Sequence, residues 1–189
     1  MIIIGITGTL GAGKGTIVDY LIKKGFHHFS VRAFIIEEIE RRGLTVDRDS
    51  MVIVANDLRL QHGSAYMAEA LFKRASETGE NCIIESIRTV GEIEALRKLG
   101  KFFLFAVDAK PDVRYQRVVI RGSETDRISL TTFQENEARE MDSNDPNHQN
   151  LRKCIEMADY IFYNDRSIDD LYEQMESVLK NIFSQITKQ

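Results

Sequence analysis

The chain has 189 residues, 43% hydrophobic and 29% charged, with a formal net charge of −4 at neutral pH. That length suits a single domain with a sizeable core, the acidic balance argues against general nucleic-acid binding, and no segment approaches the about 20 apolar residues of a membrane span. Cys82 and Cys154 are too few and too far apart for a disulfide scaffold or a metal knuckle, so a cytoplasmic protein with reduced, buried thiols is expected.

Ile2 to Ile6 is a continuous isoleucine-rich run, the pattern of a strand buried on both faces of a parallel sheet. A glycine-rich stretch follows, and Lys14 to Lys24 then places Ile17, Val18, Leu21 and Ile22 on one helical face before Gly25. Phe26 to Val31 reads as a second strand, and Ala33 to Arg42 as a helix stopped by Gly43. Asp47 to Gln61 and Ser64 to Glu77 form two further helical segments. Cys82 to Glu85 is a short strand, Gly91 to Leu99 a helix, and Phe102 to Val107 the clearest later strand. Pro111 suits the first turn of a helix reaching about Arg121. Ser129 to Met141 and Gln149 to Met157 are helical on either side of a turn at 143–147. Tyr160 to Tyr163 is a fifth strand, and Ile168 to Ile182 a closing amphipathic helix. Alternation of this kind implies an α/β fold: a five-stranded parallel sheet covered by helices on both faces. Ligands of such sheets bind beyond the C-terminal strand ends, which directs attention to residues 8–16, 31–32, 85–88, 108 and 164–165.

The first of these, Gly8-Thr9-Leu10-Gly11-Ala12-Gly13-Lys14-Gly15-Thr16, lies between a predicted strand and a predicted helix. Glycines there let backbone N–H groups converge on phosphate oxygens, which requires positive φ and no Cβ in the way. The helix beginning near Lys14 adds its N-terminal dipole, and the lysine adds a mobile charge for the β- and γ-phosphates. The strict phosphate-loop pattern has Ser or Thr directly after the lysine. Here Gly15 intervenes, so the Thr16 hydroxyl faces either magnesium or a phosphate oxygen.

The order GxxGxGKGT resembles the loop of adenylate kinase and its nucleoside monophosphate kinase relatives, most closely over residues 1–25. The resemblance implies a three-layer kinase fold using ATP and magnesium, with an acceptor-binding flap at about 32–80 and an arginine-bearing lid at about 117–140. In NCIIESIRT, Glu85 and Arg88 resemble the acid and the acceptor-binding arginine that follow the third strand of those kinases. The spacing is one residue shorter, and Glu replaces Asp. Glu85 would orient magnesium through water, and Arg88 would hold the acceptor's phosphate; a strand-end surface salt bridge is the alternative. Arg59, with Asn56 nearby, falls in the flap and is either a ligand of the acceptor phosphate or a solvated helix-face residue. Arg32 stands where the family carries a Gly-Asp pair.

The segment RYQRVVIRGSETDR holds Arg114, Arg117, Arg121 and Arg127. Arg117 and Arg121 share a helical face at i, i+4, where like charges repel unless an anion lies between them. They read as lid arginines that stabilise the transferring phosphoryl group, with Arg127 and Arg139 as further lid residues. The bland alternative is a helical hairpin neutralised by Glu124, Asp126, Glu135 and Glu140. ADYIFYNDRS resembles the end of dephospho-coenzyme A kinases, which places Asn164 and Asp165 either near the donor base or in a strand–helix turn with an N-cap. The four histidines show no metal-ligand spacing, and structural roles are expected for them.

The reading that results is transfer of the ATP γ-phosphoryl group to a small phosphorylated acceptor, a nucleoside or deoxynucleoside monophosphate in first place. Neither a nucleic acid nor a membrane is expected as partner, and the chain is a monomer or a homodimer. Two alternatives stay open. One is dephospho-coenzyme A kinase, although KGT replaces that family's KST. The other is a non-catalytic nucleotide-sensing domain, because IIESIRTVGEIEALR also resembles kinase-like domains fused to deoxycytidylate deaminases.

Overall fold

A computed structural model describes residues 1–122 and 128–187. In chain order the elements are β1 (Ile3–Gly8), α1 (Lys14–Lys23), β2 (His27–Ser30), α2 (Val31–Arg41), α3 (Arg48–His62), α4 (Tyr66–Thr78) and β3 (Cys82–Glu85). They continue with α5 (Val90–Leu99), β4 (Phe102–Asp108), α6 (Pro111–Arg121), α7 (Leu130–Met141), α8 (Leu151–Glu156), β5 (Tyr160–Tyr163) and α9 (Ile168–Thr187).

The five strands form one parallel sheet in the order β2-β3-β1-β4-β5. All six residues of the central β1 are buried, which is why Ile3 to Ile6 is an unbroken apolar run rather than an alternation. Its alternate side chains feed two cores. Ile3 faces a cluster with Ile39, Val54, Leu58, Met67, Leu71 and Leu96 from α2 to α5. Ile4 and Ile6 face a cluster with Ile17, Leu21, Phe105, Phe162 and the buried stripe of α9. That stripe, Leu171, Met175, Leu179 and Ile182, keeps the helical period that the sequence displays. The molecule is thus three-layered, helix–sheet–helix, with the five-stranded parallel sheet that the alternating pattern predicts.

Most element ends fall within two residues of expectation, and two of the shifts have a visible local partner. Helix α2 starts at Val31, directly after β2, because the Ser30 hydroxyl accepts from the Ala33 N–H at 3.3 Å and caps the helix there. Helix α9 continues to Thr187, where the Thr187 hydroxyl donates to the Phe183 carbonyl at 2.9 Å. Among the described residues no helix is long and apolar enough to cross a membrane.

Candidate functional site

Between β1 and α1 the backbone passes through Gly8 (φ +134°), Gly11 (φ +79°) and Gly13 (φ +106°). A Cβ on Gly13 would lie 2.2 Å from Asn164 Nδ2, so this glycine answers to packing as well as to φ. Gly15 is different: its backbone is unstrained, and a Cβ there would meet nothing within 4 Å. Helix α1 begins after Gly13 with no side-chain cap on its first amides. Free amides, left-handed glycines and an open surface at Gly15 make this helix start fit a phosphate chain.

Lys14 Nζ donates to the Gly8 and Thr9 carbonyls, each at 2.8 Å, and so lies folded back along the loop. Burial, and then the Arg88 guanidinium, push its pKa down to about 8.

The loop opens onto a cavity of about 680 Å³. Lys14, Arg32, Arg48, Arg59, Arg88, Arg117 and Arg121 line it, against the carboxylates of Asp19, Glu85 and Glu140. Seven cations to three anions suit a polyanionic ligand. One wall, formed by Val31, Ile35, Met51, Val52 and Ala55, is apolar.

Within the cavity Arg88 Nη1 donates to Glu140 Oε2 at 2.6 Å and to Gln149 Oε1 at 3.0 Å. Arg48 Nη2 donates to the other oxygen of Glu140 at 2.7 Å. Burial alone would raise the Glu140 pKa, but Arg88 and Arg48 together hold it below the usual carboxylate range. Glu85 follows the same logic: burial works to raise its pKa, and His28 and Lys14 bring it below the ordinary value. His28 Nε2 lies 3.3 Å from Glu85 Oε2. Next to Glu85, Ser86 takes a left-handed backbone (φ +72°), an uncommon conformation for a residue with a side chain.

Arg59 is 1% exposed and faces the fully buried Glu92 at 3.8 Å. The other Glu92 oxygen accepts from the Arg88 and Thr89 amides at 2.8 and 2.9 Å, completing a capping box at the start of α5. The Arg59–Glu92 pair therefore ties α3 to the peptide that carries Arg88. Burial drives the Arg59 pKa down, with Glu92 opposing.

Of the residues singled out in the sequence, Leu10, Gly11, Gly13, Lys14, Gly15, Thr16, Arg32, Arg59, Glu85, Arg88, Arg117 and Arg121 line the cavity. Others support it from behind. The Thr9 hydroxyl donates to Asp108 Oδ1 at 2.7 Å. Asn164 Nδ2 donates to the Ala12 carbonyl at 2.8 Å, and its Oδ1 accepts from Arg117 at 3.4 Å. Gly8 packs on β4, where a Cβ would lie 2.1 Å from the Val107 carbonyl. Asp165 accepts from the Lys110 amide at 2.7 Å, at the start of α6. Asn56 accepts from Arg59 at 3.4 Å and is not among the lining residues. Arg139 is exposed and bonds Asn136 on its own helix; the inward-facing residue of that turn is Glu140. Arg127 lies outside the described residues.

Sequence reasoning passed over Arg48 and Gln149 and named Glu140 only in the alternative reading, among the acids of a solvated hairpin. Arg114 is held by the Ala109 and Leu10 carbonyls and by Glu137, a structural setting. No cluster of three metal-ligating side chains occurs among the described residues. Magnesium, which keeps most of its waters, does not require one, and Thr16 and Glu85 are oxygen donors on the cavity wall.

Comparison with known proteins adds family and fold. A family model described as an AAA domain matches residues 4–142. A UPF0200 protein of Pyrobaculum aerophilum is 32% identical over 179 residues, covering 94% of this chain and 96% of the relative. Among solved structures, TT1252 of Thermus thermophilus aligns with a TM-score of 0.65 at 20% identity, covering 95% and 97% of the two chains. A gluconokinase of Sinorhizobium meliloti aligns with a TM-score of 0.59 at 12% identity over 97% of each chain. At these identities the likeness is one of fold, that of kinase-like P-loop domains.

Proposed function

This chain belongs to the AAA-domain family and to the UPF0200 proteins, and we propose that it transfers the γ-phosphoryl group of ATP to a small phosphorylated acceptor. A nucleoside or deoxynucleoside monophosphate is the acceptor that the sequence resemblance favours. The observation that carries the reading is a single cavity lined by two kinds of anion-binding device. One is the glycine loop with Lys14; the other is the arginine pair Arg48, at the start of α3, and Arg88, in the segment after β3.

Phosphoryl transfer asks a protein chiefly for positioning and charge. The loop amides and Lys14 would hold the donor's β- and γ-phosphates, with Asn164 fixing the loop through Ala12. Thr16 and, through water, Glu85 would hold magnesium, which when bound would neutralise phosphate charge. Arg117 and Arg121 at the end of α6 would spread the charge of the transferring group. Arg88 and Arg48 would orient the acceptor's phosphate, and the apolar wall of Val31, Ile35, Met51, Val52 and Ala55 would take a base. An acceptor phosphate oxygen is already anionic at neutral pH, so no strong general base is required. Residues 32–80 would form the acceptor flap, and the lid that excludes water would fall at 117–140, of which 123–127 lie outside the described residues.

The bridge from Glu140 to both acceptor-side arginines favours a second reading, a nucleotide-sensing domain that binds ATP without transferring phosphate. Two variants test the assignment. Lys14→Ala should abolish ATP binding with the fold intact by circular dichroism. Arg88→Ala should keep ATP binding and lose the effect of the acceptor. An Lys14→Ala chain that binds ATP as tightly as the parent would overturn the donor assignment.

A further inference from the structure

One cationic corner of the cavity is filled by a carboxylate of the chain itself. Glu140 is 8% exposed, and its two oxygens are divided between two arginines, one for Arg48 and one for Arg88. The three residues come from the first turn of α3, the segment after β3 and the last turn of α7. Both carboxylate oxygens are therefore used. Arg48 Nε is buried and finds no hydrogen-bond partner among the described residues, so this clamp holds one more donor than Glu140 satisfies. A buried donor without an acceptor is costly, and a tetrahedral oxyanion with three terminal oxygens would meet it where a two-oxygen group does not.

We propose that Glu140 is an internal place-holder for the acceptor's phosphate. It neutralises the Arg48–Arg88 pair when no acceptor is present and gives up both arginines when a phosphate group enters. The proposal rests on reading this cavity as the acceptor site. It makes Glu140 a specificity-determining residue. An incoming carboxylate would only repeat the bonds that Glu140 already makes, whereas a phosphate adds the bond to Arg48 Nε. It also links acceptor entry to α7, because losing Arg48 and Arg88 releases the end of that helix.

The test is calorimetric titration of inorganic phosphate, and of acetate in parallel, into the full chain saturated with magnesium and a non-hydrolysable ATP analogue. The analogue occupies the loop amides and leaves the arginine pair as the phosphate site. Glu140→Gln should bind phosphate about tenfold tighter than the parent or better, because the ligand no longer displaces a charge-assisted hydrogen bond. Arg48→Ala should weaken phosphate by a similar factor in either background, and acetate should not bind the parent measurably and should bind Glu140→Gln more weakly than phosphate does. A Glu140→Gln chain that binds phosphate no tighter, or more weakly, overturns the proposal and makes Glu140 a brace for α7. If that variant fails to fold, Glu140→Asp supplies the comparison: its shorter arm keeps the charge, loosens the bridge and should tighten phosphate by a smaller factor. If the analogue does not bind, the donor reading fails on its own. Phosphate titrated into the Lys14→Ala background then still reports whether Glu140 competes.

Discussion

Lys14 offers a prediction whose size follows from its surroundings. Burial and the neighbouring Arg88 bring its pKa to about 8 in the free protein. A triphosphate beside the ammonium stabilises the charged form and returns the pKa toward its ordinary value of about 10.4. Nucleotide binding must therefore take up a proton wherever free Lys14 has lost one. The uptake should be near zero below about pH 6.5, about half a proton at about pH 8, and close to one at about pH 9. At about pH 9 roughly one free molecule in ten still carries the charge, so ATP affinity should fall about tenfold from neutral pH, about 1.4 kcal/mol. Calorimetry at three pH values, in buffers of different ionisation enthalpy, measures affinity and proton uptake together. Lys14→Arg stays charged throughout and should bind with a flat pH profile. An affinity unchanged from neutral pH to about pH 9, with no proton taken up, would refute both the perturbed lysine and its place beside the phosphates.

Arg59→Met leaves the fully buried Glu92 without its cation, while Glu92 keeps the Arg88 and Thr89 amides. Urea unfolding should show a loss of about 3 kcal/mol, the low end for breaking a buried pair, and adding Glu92→Gln should recover much of it. A loss below about 1 kcal/mol would remove the pair from the supports of the Arg88 peptide. Gly13→Ala puts a Cβ 2.2 Å from Asn164 Nδ2 on a backbone with φ +106°. It should push Asn164 off the Ala12 carbonyl and weaken ATP binding in a titration, whereas Gly15→Ala, with nothing within 4 Å in the free chain, should leave thermal stability unchanged. Burial pushes the Cys154 thiol up to about 12, so iodoacetamide at about pH 8 should label it only after unfolding, as read by mass spectrometry.

The sheet and its helices were legible because each rests on local chemistry. Ile2 to Ile6 and Phe102 to Val107 are apolar runs too short for helices, and Gly25, Gly43 and Pro111 mark where helices stop or start. The phosphate loop was legible for the same reason, since strand, glycines, lysine and helix are contiguous. The arginine-lined side of the cavity was not. Arg88 meets a glutamate 52 positions later, and Arg59 meets Glu92 with α4 and β3 lying between them in the chain. No periodicity in one chain announces such pairs. Helix phase decided the rest: one step along α7 separates exposed Arg139 from buried Glu140, and charge alone made the arginine the better candidate. Asn164 lay between two readings, base contact and turn. Its bond to the Ala12 carbonyl gives it a third role, as a strut beneath the loop.

The most direct measurement is ADP release from ATP in the presence of each common ribo- and deoxyribonucleoside monophosphate and of dephospho-coenzyme A. A phosphotransferase predicts that one acceptor class raises ADP release well above the acceptor-free rate and yields the phosphorylated acceptor in equal amount. Lys14→Ala and Arg88→Ala should each abolish the rise. ATP that binds tightly while no acceptor stimulates ADP release would contradict phosphoryl transfer and leave a nucleotide sensor in its place.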